Sequence, residues 1–235
     1  IWCWWTHYGK DRKLRILVAE ENGEISGIAP LMLSKYSFFH LCKISKIEFI
    51  GSSTSDYNSF ILVKNEKKCL NLFLSKLMKV SDWNLMELRD IRENTVFSNT
   101  LTDTCVNIFP RMKIAVGTVC PYIKLPQSVE LFNASFSRNM RRNLRKRMNK
   151  LRKAYDVKIV THRDFNSVEE AMEVFFSLHQ KRWSSKGEPG AFASETFRDF
   201  HLDLAKTFDS KGWLALYFLM ANDKPISTVY SFDYN

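Results

Sequence analysis

The amino-acid sequence predicts an α/β fold in which one unit of helices and strands is built twice in tandem. Short runs rich in Ile, Leu and Val alternate with segments of helical periodicity along all 235 residues. A hairpin signature from Leu17 to Ile28 recurs about 200 positions later, from Phe218 to Val229. Between the two copies lies a long basic helix, so the chain reads as two halves with a cationic divider.

In the first half, Trp2 to Tyr8 predicts the last turns of a helix that Gly9 stops. Leu14 to Glu20 and Ile25 to Leu33 predict a hairpin around Asn22-Gly23, because both residues accept positive φ. Pro30 has no N–H to donate, which predicts a bulge or a sheet edge there. Ile44 to Phe49 and Phe60 to Val63 read as strands on either side of the polar Gly51 to Asn58 loop. Cys69 to Val80 reads as a helix with Leu70, Phe73, Leu74 and Leu77 on one side. Trp83 to Leu88 follows as a buried strand, Val96 to Leu101 as a short helix, and Val119 to Leu125 as a strand closed by Pro126.

The divider carries the strongest pattern. Between Arg138 and Lys153 stand nine Lys or Arg residues and no Asp or Glu. Phe136, Met140, Leu144, Met148, Leu151 and Tyr155 recur at steps of three or four, which predicts an amphipathic helix with one face buried and the other cationic. Ser128 caps the turn that leads into it, with Glu130 near the positive end of the dipole.

In the second half, Val157 to Val160 is a strand and Val168 to Trp183 a helix. That helix is acidic in its first turn (Glu169, Glu170) and basic in its last (Lys181, Arg182). Ser184 to Gly190 is a loop of Gly, Pro and Ser, and Glu195 to Phe208 a further amphipathic helix. Trp213 to Met220 and Ile226 to Phe232 form the second hairpin around Asn222-Asp223. The chain opens at Ile1 without a methionine and stops at Asn235 directly after a strand pattern, which reads as a cut through a domain at each end.

Composition narrows the function classes. At 45% hydrophobic and 14% aromatic residues the chain is a folded protein and not a disordered tail. Net charge is +10, and the central helix alone holds +9 of it, so the charge belongs to one face rather than to the whole surface. The five cysteines are scattered without a Cys-x-x-Cys pair, which fits reduced thiols in the cytoplasm. No apolar run approaches the eighteen or so residues needed to span a bilayer.

Several short segments, in their order along the chain, resemble a known family. They are Ser135 to Arg138 followed by Arg141-Arg142-Asn143-Leu144-Arg145, then Leu178-His179-Gln180-Lys181-Arg182-Trp183, Phe200-His201, and the Leu219 to Tyr230 hairpin. Trp4-Trp5, Gly27 to Leu31 and the Gly51 to Tyr57 loop match in the first half. The chain is similar to the CelD-like acetyltransferases of the GNAT superfamily, which have two GNAT-like domains and are related to Fem-type aminoacyl transferases. The resemblance implies tandem GNAT-like domains with mixed, mostly antiparallel twisted sheets flanked by helices. It divides them into 1–125, truncated at its start, and 126–235, truncated at its end. It implies acetyl-CoA or another acyl-CoA as co-substrate and a small-molecule or envelope-precursor acceptor; no metal is expected from the histidine spacing, and the chain is expected to be a cytoplasmic monomer. The CoA phosphate loop it implies would lie beyond Asn235, so no cofactor-binding residue is assigned.

The candidate catalytic residues are His179 and Asp56. His179 shares a helix face with Arg182 and Trp183 at i, i+3, i+4, so it could take a proton from an acceptor while Arg182 clamps an anion and Trp183 walls the pocket. A helix-terminal Arg and a core aromatic would serve a purely packing role equally well. Asp56 and Tyr57 sit in a polar loop at a strand end, where sites are often built and where Asx turns are common. Arg138 and Arg142 are candidate contacts for an anionic substrate. The basic helix as a whole fits nucleic-acid phosphates, an acidic acceptor, an anionic membrane surface, or solvent alone. His201 reads as a packed or surface histidine, and the five histidines lack metal-ligand spacing.

Overall fold

The computed structural model describes residues 1–38, 42–52, 54–109 and 111–234, without the side chains of Phe38 and Cys42. The chain forms two compact units, Ile1–Pro121 and Tyr122–Asn235.

The first unit runs α1 (Trp2–Tyr8), β1 (Arg12–Glu21), β2 (Glu24–Phe38), β3 (Cys42–Phe49), β4 (Ile61–Leu62), α2 (Glu66–Met78), β5 (Leu85–Met86) and α3 (Val96–Ile108). Its sheet has the order β1-β2-β3-β5, with β4 also paired to β2, and among the described residues only β3–β5 is parallel. Asn22 and Gly23 have φ of 55° and 80°, as the hairpin turn requires. Leu31, Leu33, Ile47 and Phe49 on one sheet face pack against Leu70, Phe73, Leu74 and Leu77 of α2 and Phe97 and Leu101 of α3. On the other face Glu48 is only 4% exposed, and its carboxylate is satisfied by Ser34, by the Tyr36 hydroxyl at 3.2 Å and by Lys46 at 2.8 Å. A buried carboxylate persists only when partnered in this way.

The second unit runs α4 (Val129–Ser135), α5 (Arg138–Ala154), β6 (Val157–Thr161), α6 (Val168–Ser184), α7 (Glu195–Asp209), β7 (Leu214–Ala221) and β8 (Lys224–Phe232). The sheet order is β6-β7-β8, antiparallel throughout. Leu214, Leu216 and Phe218 of β7 pack against Met172, Phe175 and Phe176 of α6 and Ala205 of α7. His162, in a 3-10 turn after β6, is buried and meets Asp209 at the end of α7 across 2.9 Å.

Several expectations change. Pro30 lies in an inner strand, opposite Ile16, and not at an edge or bulge. Its carbonyl accepts from Ile50 N, so its nitrogen faces the same side, at the point where β3 has ended and β4 has not begun. Gly9 does end α1, in the right-handed region with φ −74°. The Trp83 to Leu88 strand contracts to Leu85–Met86, and Leu85 is 45% exposed. The short helix at Val96 starts where expected, with Thr95 and Ser98 capping it reciprocally, and extends to Ile108. Val119 to Leu125 pairs with no strand among the described residues, and Val119, Tyr122, Ile123 and Leu125 are exposed.

The basic helix is also revised. Phe136 is extended and Ser137 begins a new helix by accepting from Met140 N, so α4 and α5 are distinct. No residue of α5 is buried, so its apolar stripe is not the core face that the periodicity predicts.

The two hairpins share more than a signature. Both turns hold two residues at positive φ, and both ladders shift register at the same place, Ala19/Glu20 and Leu219/Met220. The structural offset is 200, one less than the sequence alignment of Ile25 with Ile226 implies. At that offset the buried Leu216 and Phe218 correspond to Ile16 and Val18, which are 46% and 54% exposed. The same hairpin buries opposite faces in the two units.

Replacing Phe218 by Ala should cost about 3–5 kcal/mol, whereas Met140→Ala on the uncovered stripe should change stability by no more than about 0.5 kcal/mol. Urea unfolding of the two variants checks the contrast.

Candidate functional site

The site with the most chemistry lies where the end of α6 meets its following loop. Ser167 caps α6 by accepting from Glu170 N at 3.2 Å, and the acidic-to-basic order along the helix suits its dipole. His179 and Trp183, four residues apart, bring their rings within 5.9 Å. The loop then folds back over them. Lys186 N and Glu188 N both donate to the Trp183 carbonyl, at 2.9 and 3.1 Å, and Gln180 Nε2 donates to the Pro189 carbonyl at 2.9 Å.

Gly190 completes the closure. Its φ is +71°, and a Cβ there would lie 3.0 Å from Trp183 Cβ and 3.3 Å from His179 Cε1. Only glycine takes this backbone conformation beside two rings without strain. Phe192 follows in a 3-10 turn and is 8% exposed. It meets His179 edge-on at 4.7 Å, His201 at 5.2 Å, Phe175 at 5.1 Å and Phe176 at 5.0 Å.

Both imidazoles around Phe192 have lowered proton affinity. Burial, and secondarily the Arg182 charge, hold His179 below the ordinary imidazole range. Its Nδ1 is buried without a hydrogen-bond partner among the described residues. Burial pushes His201 down to about 4. Its Nδ1 lies 3.5 Å from the Tyr230 hydroxyl, which donates to the His201 carbonyl at 3.4 Å and is itself pushed upward by burial. A neutral imidazole can accept a proton from an attacking amine or hydroxyl. Arg182 is exposed and forms no ion pair among the described residues, while the Lys186 ammonium stands 4.9 Å above the Trp183 ring.

Of the residues singled out from sequence, His179, Arg182 and Trp183 come together here. Asp56 and Tyr57 belong to the first unit, in a loop described except for Ser53. Asp56 is exposed; Tyr57 has φ 57° and carries the Arg92 guanidinium at 5.6 Å from its ring. Arg138 and Arg142 are exposed on α5 without ion pairs among the described residues. Sequence reasoning passed over Phe192 and Tyr230 and read His201 as packing. An aromatic flanked by two alanines after a polar loop, Ala191-Phe192-Ala193, is the signal that marks the first.

Among the described residues no group of three or more His, Cys, Asp or Glu could hold a metal ion, and no helix is long and apolar enough to cross a membrane. Cys69, Cys105 and Cys120 are free thiols; the Cys42 side chain lies outside the described residues.

Comparison with known proteins bears on the same segment. Residues 138–235, less than half of the chain, match the family model described as Acetyltransferase (GNAT) domain. The crystal structure of FemX is similar to 91% of this chain, with a TM-score of 0.57 at 14% identity. The chain spans about half the length of FemX, 50% of that chain. No curated protein sequence matches it. The likeness establishes the fold, a mixed α/β arrangement of helix-flanked sheets. The GNAT match rests on residues 138–235, the FemX likeness is one of fold, and neither reaches the CelD-like group.

Two outcomes follow from the site. Gly190→Ala should destabilise the protein by more than about 1 kcal/mol, seen as a fall of several degrees in Tm. An imidazole depressed to about 4 binds fewer protons folded than unfolded. Stability is therefore full above the ordinary imidazole pKa of about 6.5 and falls as pH drops toward 4. Tm should decline over that window, and His201→Gln should flatten the decline.

Proposed function

We propose that the protein is a GNAT-type acyltransferase that moves an acetyl or other acyl group from acyl-CoA to an amine or hydroxyl. The observation that carries this reading is the match of residues 138–235 to the GNAT acetyltransferase domain, the segment that holds His179, Arg182 and Trp183. The acceptor attacks the thioester directly, with no covalent enzyme intermediate. His179, whose proton affinity burial and the Arg182 charge lower, takes the proton that the attacking group loses. Arg182 offers a free guanidinium to an anionic acceptor or a CoA phosphate, and Trp183 walls the pocket. Asp56 remains a candidate catalytic residue, and Tyr57, Arg138 and Arg142 remain candidates for substrate contacts. An envelope or polysaccharide precursor, as the CelD-like resemblance implies, is the acceptor class this reading favours.

The competing reading has an aminoacyl-tRNA donor in place of acyl-CoA, as in the Fem-type aminoacyl transferases to which the CelD-like family is related, and the fold likeness to FemX is consistent with it. Release of free thiol from acetyl-CoA with a panel of amine and hydroxyl acceptors separates the two. We expect acceptor-dependent release, a fall in kcat of roughly 10²–10⁴-fold for His179→Ala, and a raised KM for Arg182→Ala. Saturating acetyl-CoA should also raise Tm by a few degrees. No thiol release and no shift in Tm, with transfer from charged tRNA instead, would overturn the acyl-CoA reading.

A further inference from the structure

We propose that α5 lies on the surface of an anionic lipid bilayer, with its Met and Leu stripe at the acyl boundary and its cations among the headgroups. The helix is 17 residues long and capped at its start by Ser137. At about 100° per residue, Met140, Leu144, Met148, Leu151 and Tyr155 fall within one sector of roughly 80°. Arg147 borders that sector on one side and Arg141 and Arg152 on the other, with the remaining cations and three asparagines around the back.

This stripe is not a core face. Met140 is 46% exposed, Leu144 45%, Met148 36% and Tyr155 49%. Among the described residues no strand or other helix packs along α5. The cationic face is equally uncommitted: none of its nine Lys and Arg side chains forms an ion pair among the described residues, and the helix contains no acid.

Charge complementarity requires an anionic partner, and the stripe decides which kind. A polyanion such as RNA engages Lys and Arg through phosphates and gains nothing from aligned Met and Leu side chains. A bilayer with anionic headgroups uses both halves of the helix at once. Arginines at the borders of the stripe can rest their stems on the apolar zone and keep their heads at the phosphates. With nine cations the helix lies in the interface and does not span it.

Co-sedimentation with vesicles tests the proposal. The protein should pellet with phosphatidylcholine vesicles containing phosphatidylglycerol, and at least about tenfold less with phosphatidylcholine alone. Two variants separate the contributions: Met140→Gln/Leu144→Gln/Met148→Gln keeps every cation, and Arg141→Gln/Arg147→Gln/Arg152→Gln keeps the stripe. Each should lose most of the binding while its Tm and circular dichroism stay at the parent values. Failure of the parent to pellet with anionic vesicles would overturn the proposal. So would unchanged vesicle binding by the stripe variant, which together with parent-like binding of homopolymeric RNA would mark a polyanion face. A large fall in Tm for the stripe variant would instead mean that polypeptide covers the stripe.

Discussion

Phe192 is the contact on which the second unit's chemistry depends. A phenylalanine at the tip of a loop of Gly, Pro and Ser would ordinarily be exposed, yet here it is driven between α6 and α7. Its ring fills the space between His179 and His201 and excludes water from one side of each. Desolvation is the main cause of the lowered proton affinity of both imidazoles. The loop can place the wedge only because Gly190 passes close to Trp183 in a conformation reserved for glycine. A packing interaction thus lowers the proton affinity of two imidazoles.

The paired hairpins show how far local chemistry determines structure and where it stops. The turn residues and the register shift are matched between the units, because both depend on the backbone preferences of a few residues. The covered face is not matched. Leu17 and Ala19 face the helices in the first unit, whereas Leu216 and Phe218 do so in the second. Strand alternation makes the two faces interchangeable in pattern, so which one is buried depends on the side from which helices arrive.

The same distinction explains what the sequence made legible. Nearly every helix and hairpin was readable, since caps, turn residues and periodicity are local. The alliance of His179, Arg182 and Trp183 was readable too, because helical spacing alone brings them together. Phe192, His201 and Tyr230 join them through contacts between segments distant in sequence, which no spacing reveals. Val119 to Leu125 had the composition of a strand but lacks a paired neighbour among the described residues. Periodicity likewise identified the stripe of α5 while leaving open whether protein, lipid or solvent meets it.

Charge in this chain is concentrated and proton chemistry is local. Almost all of the net +10 belongs to α5, where the cations stand in solvent and their fields are screened within a Debye length of about 8 Å. The charge that bears on His179 is instead that of Arg182, one helical turn away on the same element, and it ranks second to burial. No charge of α5 is among the causes that lower the proton affinity of His179, which are burial and Arg182. The helix surface and the imidazole site can accordingly be altered separately, one through long-range attraction of anions and the other through the exclusion of water.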